Sequence, residues 1–193
     1  SRSGLSVTFE SSFPFLDQIV TGHSLVPYYE TFEMEASPCR ITPAINSTEI
    51  LVSTEDQERI LYDLLLESFQ NNVDTSTPDF EDWTSARKAS VNKKTFLARV
   101  ENQFVGFLTL VNTDADRAEI RTVGVRPSAR GTGIGKQLIQ HALNDASEHG
   151  LKTCRLTVAV QNHRALELYR RLGFREISHY LVFQYRSWGT TAP

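Results

Sequence analysis

The feature that most constrains the fold of this chain is a strand that runs directly into a glycine-rich turn and then into a helix. Residues 119–125 have the period-two pattern of a strand, glycines stand at positions 131, 133 and 135, and apolar residues recur at helical spacing from Ile134. Glycine allows positive φ and close approach of a ligand, and the free N–H groups at a helix start attract anions. The segment therefore predicts an α/β fold with an anion-binding turn.

Hydrophobic periodicity divides most of the chain into helices and strands around this turn. Apolar residues at helical spacing predict helices over residues 53–70, 78–90, 134–149 and 162–172. Period-two patterns predict strands over residues 95–100, 104–111, 119–125, 155–160, 174–177 and 180–185, with residues 40–45 as an opening strand. This order favours an α/β fold in which a mixed central sheet of about seven strands is flanked by about four helices.

The first 38 residues do not fit this pattern and are treated as an N-terminal extension. Residues 23–32 loosely echo residues 179–185. The extension is predicted to be an arm that extends the sheet, and the alternative is the remnant of a second, degenerate copy of the same domain. The main domain is assigned to residues 39–187, followed by a C-terminal tail at residues 188–193.

The charge of the chain is small in sum but uneven in distribution. The formal net charge is −3, yet residues 126–175 hold nine basic against three acidic side chains. Residues 48–93 hold four basic against ten acidic side chains. The small total argues against nucleic acid as the main partner, and the local basic excess favours a small anionic ligand.

Several other classes of protein are disfavoured by the sequence. The two cysteines, Cys39 and Cys154, lie far apart, so a reduced, cytoplasmic protein is expected. We find no charged leader and no run of about 18 apolar residues, so neither a signal peptide nor a membrane span is expected. The five histidines form no metal-binding motif, and no metal is expected.

Two common phosphate-binding loops do not fit the glycine-rich turn. A Walker A loop needs glycine where Arg130 stands and serine or threonine where Gln137 stands. A dinucleotide fingerprint that begins at Gly131 needs a third glycine at Lys136. The pattern that fits instead is Arg-x-x-Gly-x-Gly, over residues 130–135.

On this motif and on a second one at residues 162–174, the sequence resembles the GNAT superfamily of N-acetyltransferases. The second motif reads Asn-His-Arg-Ala-Leu-Glu-Leu-Tyr-Arg-Arg-Leu-Gly-Phe. The resemblance covers residues 39–187. It implies the GNAT fold, acetyl-CoA as co-substrate, and an acyl-CoA-dependent N-acetyltransferase in which an acceptor amine attacks the thioester directly in a ternary complex.

The resemblance also implies which residues bind the cofactor. Val123, Gly124 and Val125 match the strand end whose backbone bonds the pantetheine arm and the acetyl carbonyl. Asn162 matches the residue that opens the later helix and contacts the cofactor, and it is also expected as a plain N-cap. The pyrophosphate cradle is matched by the backbone of Arg130, Gly131, Thr132, Gly133, Ile134, Gly135 and Lys136, with positive charge from Arg130 and Lys136.

Two residues are implied as catalytic groups. Tyr169 matches a tyrosine that protonates the departing thiolate in many members, and the alternative is a core aromatic side chain. Glu119 matches the strand carboxylate that serves as general base, often through water, in the histone-acetylating branch; other branches use water chains or backbone. In a regular strand Glu119 shares a face with Val123, and a bulge between them would end that relationship.

The resemblance further implies that the acceptor enters over the first two predicted helices, residues 61–90, and over a loop between the last two strands, residues 178–180. The first region is rich in acids, which favour a cationic amine such as a polyamine, an aminoglycoside or a protein amine. These acids are Asp63, Glu67, Asp74, Asp79, Glu81 and Asp82. The sequence does not choose between a small-molecule and a protein acceptor, and a homodimer is left open.

Two other functions are compatible with the same patterns. One is a sensor or scaffold with a GNAT fold that binds acyl-CoA without turnover. The other is a nucleic-acid binder that uses the basic segment, which would bind oligonucleotides in a salt-dependent manner.

Overall fold

A computed structural model of the chain describes residues 6–23, 25–38, 48–70 and 79–185. These residues form strands β1 (Ser6–Glu10), β2 (Leu25–Ala36), β3 (Glu49–Val52), β4 (Lys93–Val100), β5 (Gln103–Asn112), β6 (Arg117–Val125), β7 (Thr153–Ala159) and β8 (Arg175–Tyr185). They also form helices α1 (Leu16–Gly22), α2 (Glu58–Phe69), α3 (Phe80–Ala89), α4 (Ile134–Glu148) and α5 (His163–Arg171). The predicted α/β class is confirmed, and the strand predicted at residues 40–45 lies outside the described residues.

The chain divides into a central unit of residues 36–155 and a terminal unit of residues 1–35 with 156–193. In the central unit, strands β3, β4, β5 and β6 pair in that order, each antiparallel to the next. The β4–β5 hairpin turns through Glu101 and Asn102, whose φ angles are 47° and 66°. Two successive positive φ angles match the right-handed twist of the flanking strands, so this hairpin closes tightly.

Helices α2 and α4 of the central unit cover opposite faces of β5. Phe107 belongs to a buried cluster with Leu61 of α2. A Cβ on the preceding residue, Gly106, would lie 3.2 Å from Ile134 Cγ2 of α4. Because neighbouring residues of a strand point to opposite faces, β5 is the layer between these two helices.

Helix α3 is held against the central unit by the side chain of Arg87. Its Nε lies 2.8 Å from Glu58 Oε2 of α2, and its Nη2 donates to Thr95 Oγ1 of β4 at 3.2 Å. The guanidinium also stands over the Trp83 ring at 4.9 Å. Only 13% of the Arg87 side chain and 17% of the Glu58 side chain are exposed, so the ion pair is largely desolvated.

Replacing Arg87 with methionine is expected to lower the free energy of unfolding by about 2 kcal/mol, because Glu58 would keep a mostly buried charge without its partner. Urea unfolding of the variant and the wild type measures this difference. Lys88→Met is the control, since Lys88 is the exposed neighbour on the same helix. Equal losses in the two variants would show that the Arg87–Glu58 pair adds nothing specific.

In the terminal unit, both N-terminal strands pair with the last strand. The strand order is β1-β8-β2-β7, and β1 and β2 are each antiparallel to β8. Val7 lies opposite Phe183, and Thr31 lies opposite Tyr180. Whether this segment is an arm or a degenerate copy of the domain stays a prediction.

The prediction of a loop at residues 178–180 is wrong, because β8 continues through these residues as one strand. His179 pairs with Phe32 of β2, and Tyr180 pairs with both Thr31 and Glu10. Strands on both sides therefore give this stretch regular backbone partners. The local irregularity is a register shift between Glu33 and Met34, not a chain reversal.

Candidate active site

The glycine-rich turn forms an open helix start in the central unit. Gly131 and Gly133 have φ angles of 86° and 91°, a conformation that residues with a Cβ rarely adopt. Gly133 is the N-cap of α4, and no side chain caps this helix. Its first N–H groups and the positive end of its dipole are thus available to an anion. This arrangement fits the pyrophosphate of acetyl-CoA.

The side chains of the turn have distinct roles. Thr132 Oγ1 donates to the Ala129 carbonyl at 2.7 Å and braces the loop. Ile134 is 4% exposed and anchors α4 in the core, so only its backbone can face a ligand. Lys136 is exposed on the first turn of α4, where it adds positive charge near the helix start.

Two arginines join the end of β6 to the end of α2. Arg130 donates from Nε to the Val125 carbonyl at 3.2 Å and from Nη2 to the Ser68 carbonyl at 2.7 Å. Arg126 forms an ion pair with Glu67, with Nε and Oε2 3.0 Å apart. Arg130 therefore positions α2 against the turn, while its expected contact with the pyrophosphate stays a prediction.

Gly124 allows α2 to pack closely against β6. It is buried, and its neighbours Val123 and Val125 are half-buried. A Cβ on Gly124 would lie 2.5 Å from Phe107 Cε1 and 2.9 Å from Ser68 Oγ. Such separations are too short for real atoms, so no larger residue fits here without a shift of the core.

Gly124→Ala is expected to destabilise the protein by about 2 kcal/mol, because the new methyl group overpacks a buried contact. Thermal unfolding measures the change. Gly22→Ala is the matched control, since a Cβ there meets no atom within 4 Å. Similar melting temperatures for Gly124→Ala and the wild type would contradict the close approach.

The prediction that Glu119 and Val123 share a face of β6 is wrong, because the strand has a bulge between these two residues. Glu119 lies opposite Val111, whereas Thr122 lies opposite Thr109, so Arg121 is the extra residue. This extra residue reverses the alternation, and Glu119 shares its face with Thr122 instead. The Glu119 carboxylate lies 3.3 Å from Arg121 Nε, and its side chain is 35% exposed. Its role as a base stays a prediction.

Asn162 and Tyr169 are both found on α5 in the terminal unit. Asn162 is the N-cap, and its Oδ1 accepts from the Ala165 N–H at 3.2 Å. Tyr169 is 7% exposed and packs edge-on against Phe174, with ring centroids 5.8 Å apart. Burial raises the pKa of Tyr169 to about 12, so the phenol keeps its proton at neutral pH.

Several acids of the expected acceptor region are engaged within the protein. Asp63 pairs with Arg59 at 3.3 Å, and Glu67 pairs with Arg126. Asp79 caps α3 by accepting from the Asp82 N–H at 2.9 Å. Glu81 and Asp82 are exposed in the first turn of α3, where acids stabilise a helix start, and Asp74 lies outside the described residues.

The described ranges contain neither a metal-binding cluster nor a membrane-spanning helix. No group of three or more His, Cys, Asp or Glu side chains there could hold a metal ion. No helix in that part of the chain is long and apolar enough to cross a bilayer. Burial raises the pKa of the Cys154 thiol to about 12, so Cys154 is no nucleophile at neutral pH.

Sequence reasoning missed Ser68 and the role of Arg130 as an anchor. Ser68 follows Leu61 and Leu64 by seven and four residues, so it lies on the apolar face of α2. A polar residue within an apolar stripe was the available signal. Nothing in the sequence connects Arg130 with the Ser68 carbonyl, since 62 residues separate them.

The chain is similar in sequence and in fold to known acetyltransferases. A mycothiol acetyltransferase of Streptomyces avermitilis is 37% identical over 93 residues, which are 48% of this chain and 30% of that protein. A GCN5-related N-acetyltransferase of Sphaerobacter thermophilus has the same fold, with a TM-score of 0.77 at 21% identity over 93% of this chain and 59% of that one. A tandem GNAT protein from the clavulanic acid biosynthesis pathway has a TM-score of 0.70 at 14% identity. This match covers 93% of this chain and 62% of that one.

The chain thus spans less than a third of the length of the mycothiol acetyltransferase. The family model for the acetyltransferase (GNAT) family matches residues 59–174, which include the glycine-rich turn and helix α5. The resemblance and the expected fold are confirmed. Because the match covers more than half of the sequence, the chain belongs to the acetyltransferase (GNAT) family.

Proposed function

We propose that this protein transfers an acetyl group from acetyl-CoA to a primary amine. The observation that carries this proposal is the uncapped start of α4 behind two glycines with positive φ. Such a helix start binds phosphate through backbone N–H groups and the helix dipole. The turn at residues 126–133 joins β6 to α4, and its sequence resembles the cofactor motif of the family.

The reaction proceeds by direct attack of the amine on the acyl carbon. Bound acetyl-CoA supplies an activated acyl group. A bond forms between the amine nitrogen and the acyl carbon, and the carbon–sulfur bond breaks. The amine gives up one proton and the departing thiolate takes up one, so the products are an amide and a free thiol.

Two protein groups serve these proton transfers. An amine with a pKa near 10.4 is neutral at pH 7 in only about one part in 10³ to 10⁴, so a base contributes substantially. Glu119, directly or through water, accepts this proton, and its exposure leaves it accessible to solvent. Tyr169 donates a proton to the thiolate, for which its high pKa keeps the phenol protonated.

The acceptor is a cationic amine in this proposal. Support comes from the exposed acids Glu81 and Asp82 on α3. Other groups of the protein already bind the carboxylates of Asp63, Glu67 and Asp79. Less negative charge therefore remains to attract a cationic acceptor. Polyamines, aminoglycosides and protein amines therefore all belong in an acceptor screen.

The experiment measures thiol release from acetyl-CoA with a panel of such amines. We expect steady release above hydrolysis with at least one amine, and saturation with both substrates. A sensor or scaffold would bind acetyl-CoA without release above hydrolysis. A nucleic-acid binder would bind oligonucleotides that coenzyme A does not displace, with strong dependence on salt.

A further inference from the structure

The ion pair between Arg126 and Glu67 joins the start of the turn at residues 126–133 to the last turn of α2. Arg126 Nε lies 3.0 Å from Glu67 Oε2, and the two side chains are 29% and 38% exposed. Arg126 Nε has no hydrogen-bond partner among the described residues, so charge attraction rather than a directed hydrogen bond from Nε joins the two residues. A partly exposed pair of this kind contributes about 0–1 kcal/mol. It therefore guides the end of α2 without fixing it rigidly.

The backbone between Arg126 and the glycines of the turn is braced by its own hydrogen bonds. The Arg126 carbonyl accepts from the Ala129 N–H at 2.9 Å, and the Ala129 carbonyl accepts from Thr132 Oγ1 at 2.7 Å. The Arg126 N–H donates to the Val105 carbonyl of β5 at 2.9 Å. Because such a network transmits restraint, a ligand held at the glycines also restrains Arg126.

Resting on the proposed function, we propose that Arg126 and Glu67 are positioning residues that couple the cofactor to the acceptor side of the site. With acetyl-CoA bound at the turn, Arg126 is restrained and holds Glu67 and the last turn of α2 in one position. Arg130 acts in the same direction, because it binds the carbonyl of Ser68, the next residue of α2. Residues 61–90, where the acceptor is expected, include this end of α2. A segment that the first ligand has ordered costs the second ligand less entropy, so the affinity for the amine rises.

The direct test is hydrogen–deuterium exchange of the amides at residues 66–69 of α2, with and without saturating coenzyme A. We expect exchange in the wild type to slow about fivefold when coenzyme A binds, which is the low end of the usual coupling between two sites. Glu67→Gln keeps the shape of the side chain but removes its charge, and here we expect at most about twofold slowing. The remaining effect is that of Arg130, which still holds the helix.

Asp63→Asn is the matched control. Asp63 is one turn earlier on α2, and it pairs with Arg59 of the same helix at 3.3 Å. Its loss is expected to leave the effect of coenzyme A on exchange as in the wild type. Arg126→Met is expected to behave as Glu67→Gln does. The double variant is expected to lose no more than either single variant, because the two residues act through one contact.

Turnover with an amine found in the screen gives a second readout. Glu67→Gln is expected to raise the KM for the amine about fivefold, because the end of α2 is then less ordered when the amine binds. The value of kcat and the calorimetric affinity for coenzyme A alone are expected to stay within about twofold, since Glu67 contacts neither the cofactor nor the reacting atoms in this proposal.

The outcomes separate this proposal from the proposed function. Equal slowing by coenzyme A in the wild type and Glu67→Gln would overturn the coupling, even if exchange in the variant is faster throughout, since that is the mark of a merely structural ion pair. Binding of coenzyme A without slower exchange in the wild type would also overturn it. Either result together with an acetylated amine leaves the proposed function intact. Slowing that is lost in Glu67→Gln and kept in Asp63→Asn, without acetylation of any amine, would support the coupling and contradict the proposed function.

Discussion

Replacing Gly133 with aspartate is expected to weaken coenzyme A binding by at least about 100-fold while the protein stays folded. The new carboxylate would accept from the free N–H groups at the start of α4, which no side chain caps now. It would also place a negative charge at the proposed site of the pyrophosphate. Aspartate adopts a positive φ more readily than most residues, so the strain at a φ of 91° is tolerated and the fold survives. Calorimetric titration of coenzyme A measures the loss of affinity.

Gly150→Asp is the matched control for this substitution. Gly150 also has a positive φ, 73°, and follows the other end of the same helix. The backbone strain of the two variants is therefore similar, and only Gly133→Asp affects the proposed phosphate site. Unchanged affinity in folded Gly133→Asp would place the cofactor elsewhere, and equal losses in both variants would assign the effect to the helix as a whole.

Tyr169→Phe is expected to lower kcat by about 100-fold and to leave affinity for coenzyme A within about twofold. Phenylalanine keeps the ring that packs on Phe174, so the loss is that of the proton donor. Steady-state kinetics and calorimetry measure the two quantities. Tyr29→Phe is the control. Tyr29 is 39% exposed, so this substitution removes a hydroxyl from the surface instead of from the core. Equal kcat in Tyr169→Phe and the wild type would leave Tyr169 as a core aromatic residue.

The pH dependence of stability gives a separate test of the Tyr169 environment. Its pKa is raised from 10.0 to about 12 by burial, so the folded state holds the proton more tightly than the unfolded state. The stabilising contribution is complete below pH 10 and is lost as the pH rises toward 12. Between these values, the free energy of unfolding of the wild type is expected to fall relative to that of Tyr169→Phe. Parallel curves would contradict the burial of the phenol.

Local sequence signals predicted most of the helices and strands. Thr54 and Gln57 form a capping box before α2, Asn162 caps α5, and Gly150 and Gly173 adopt the positive φ that ends a helix. Each of these signals acts within a few residues, so it can be recognised without the fold. Pairing between distant strands could not be recognised this way. The unbroken course of β8 depends on β2, which lies more than a hundred residues away.

In the candidate site, too, the sequence predicted the features that depend on local residues. The glycines of the turn and the capping role of Asn162 follow from their own neighbourhoods. The bulge at Arg121 could not be placed, because it depends on the register of β6 against β5. The anchoring of Arg130 on Ser68 likewise needs two segments brought together by the fold. The sequence therefore predicted the local features of the site. It did not predict the side-chain positions that depend on tertiary contacts.

The most direct test of the proposed function follows the acetyl group itself. The protein is supplied with acetyl-CoA labelled in its acetyl group and with the amine that gives the fastest thiol release. We expect the label in an amide of that amine, formed in step with free thiol, and little label in acetate. Label that stays in bound thioester or appears only as acetate would contradict amine acetylation and indicate a protein that binds acyl-CoA without transferring its acyl group.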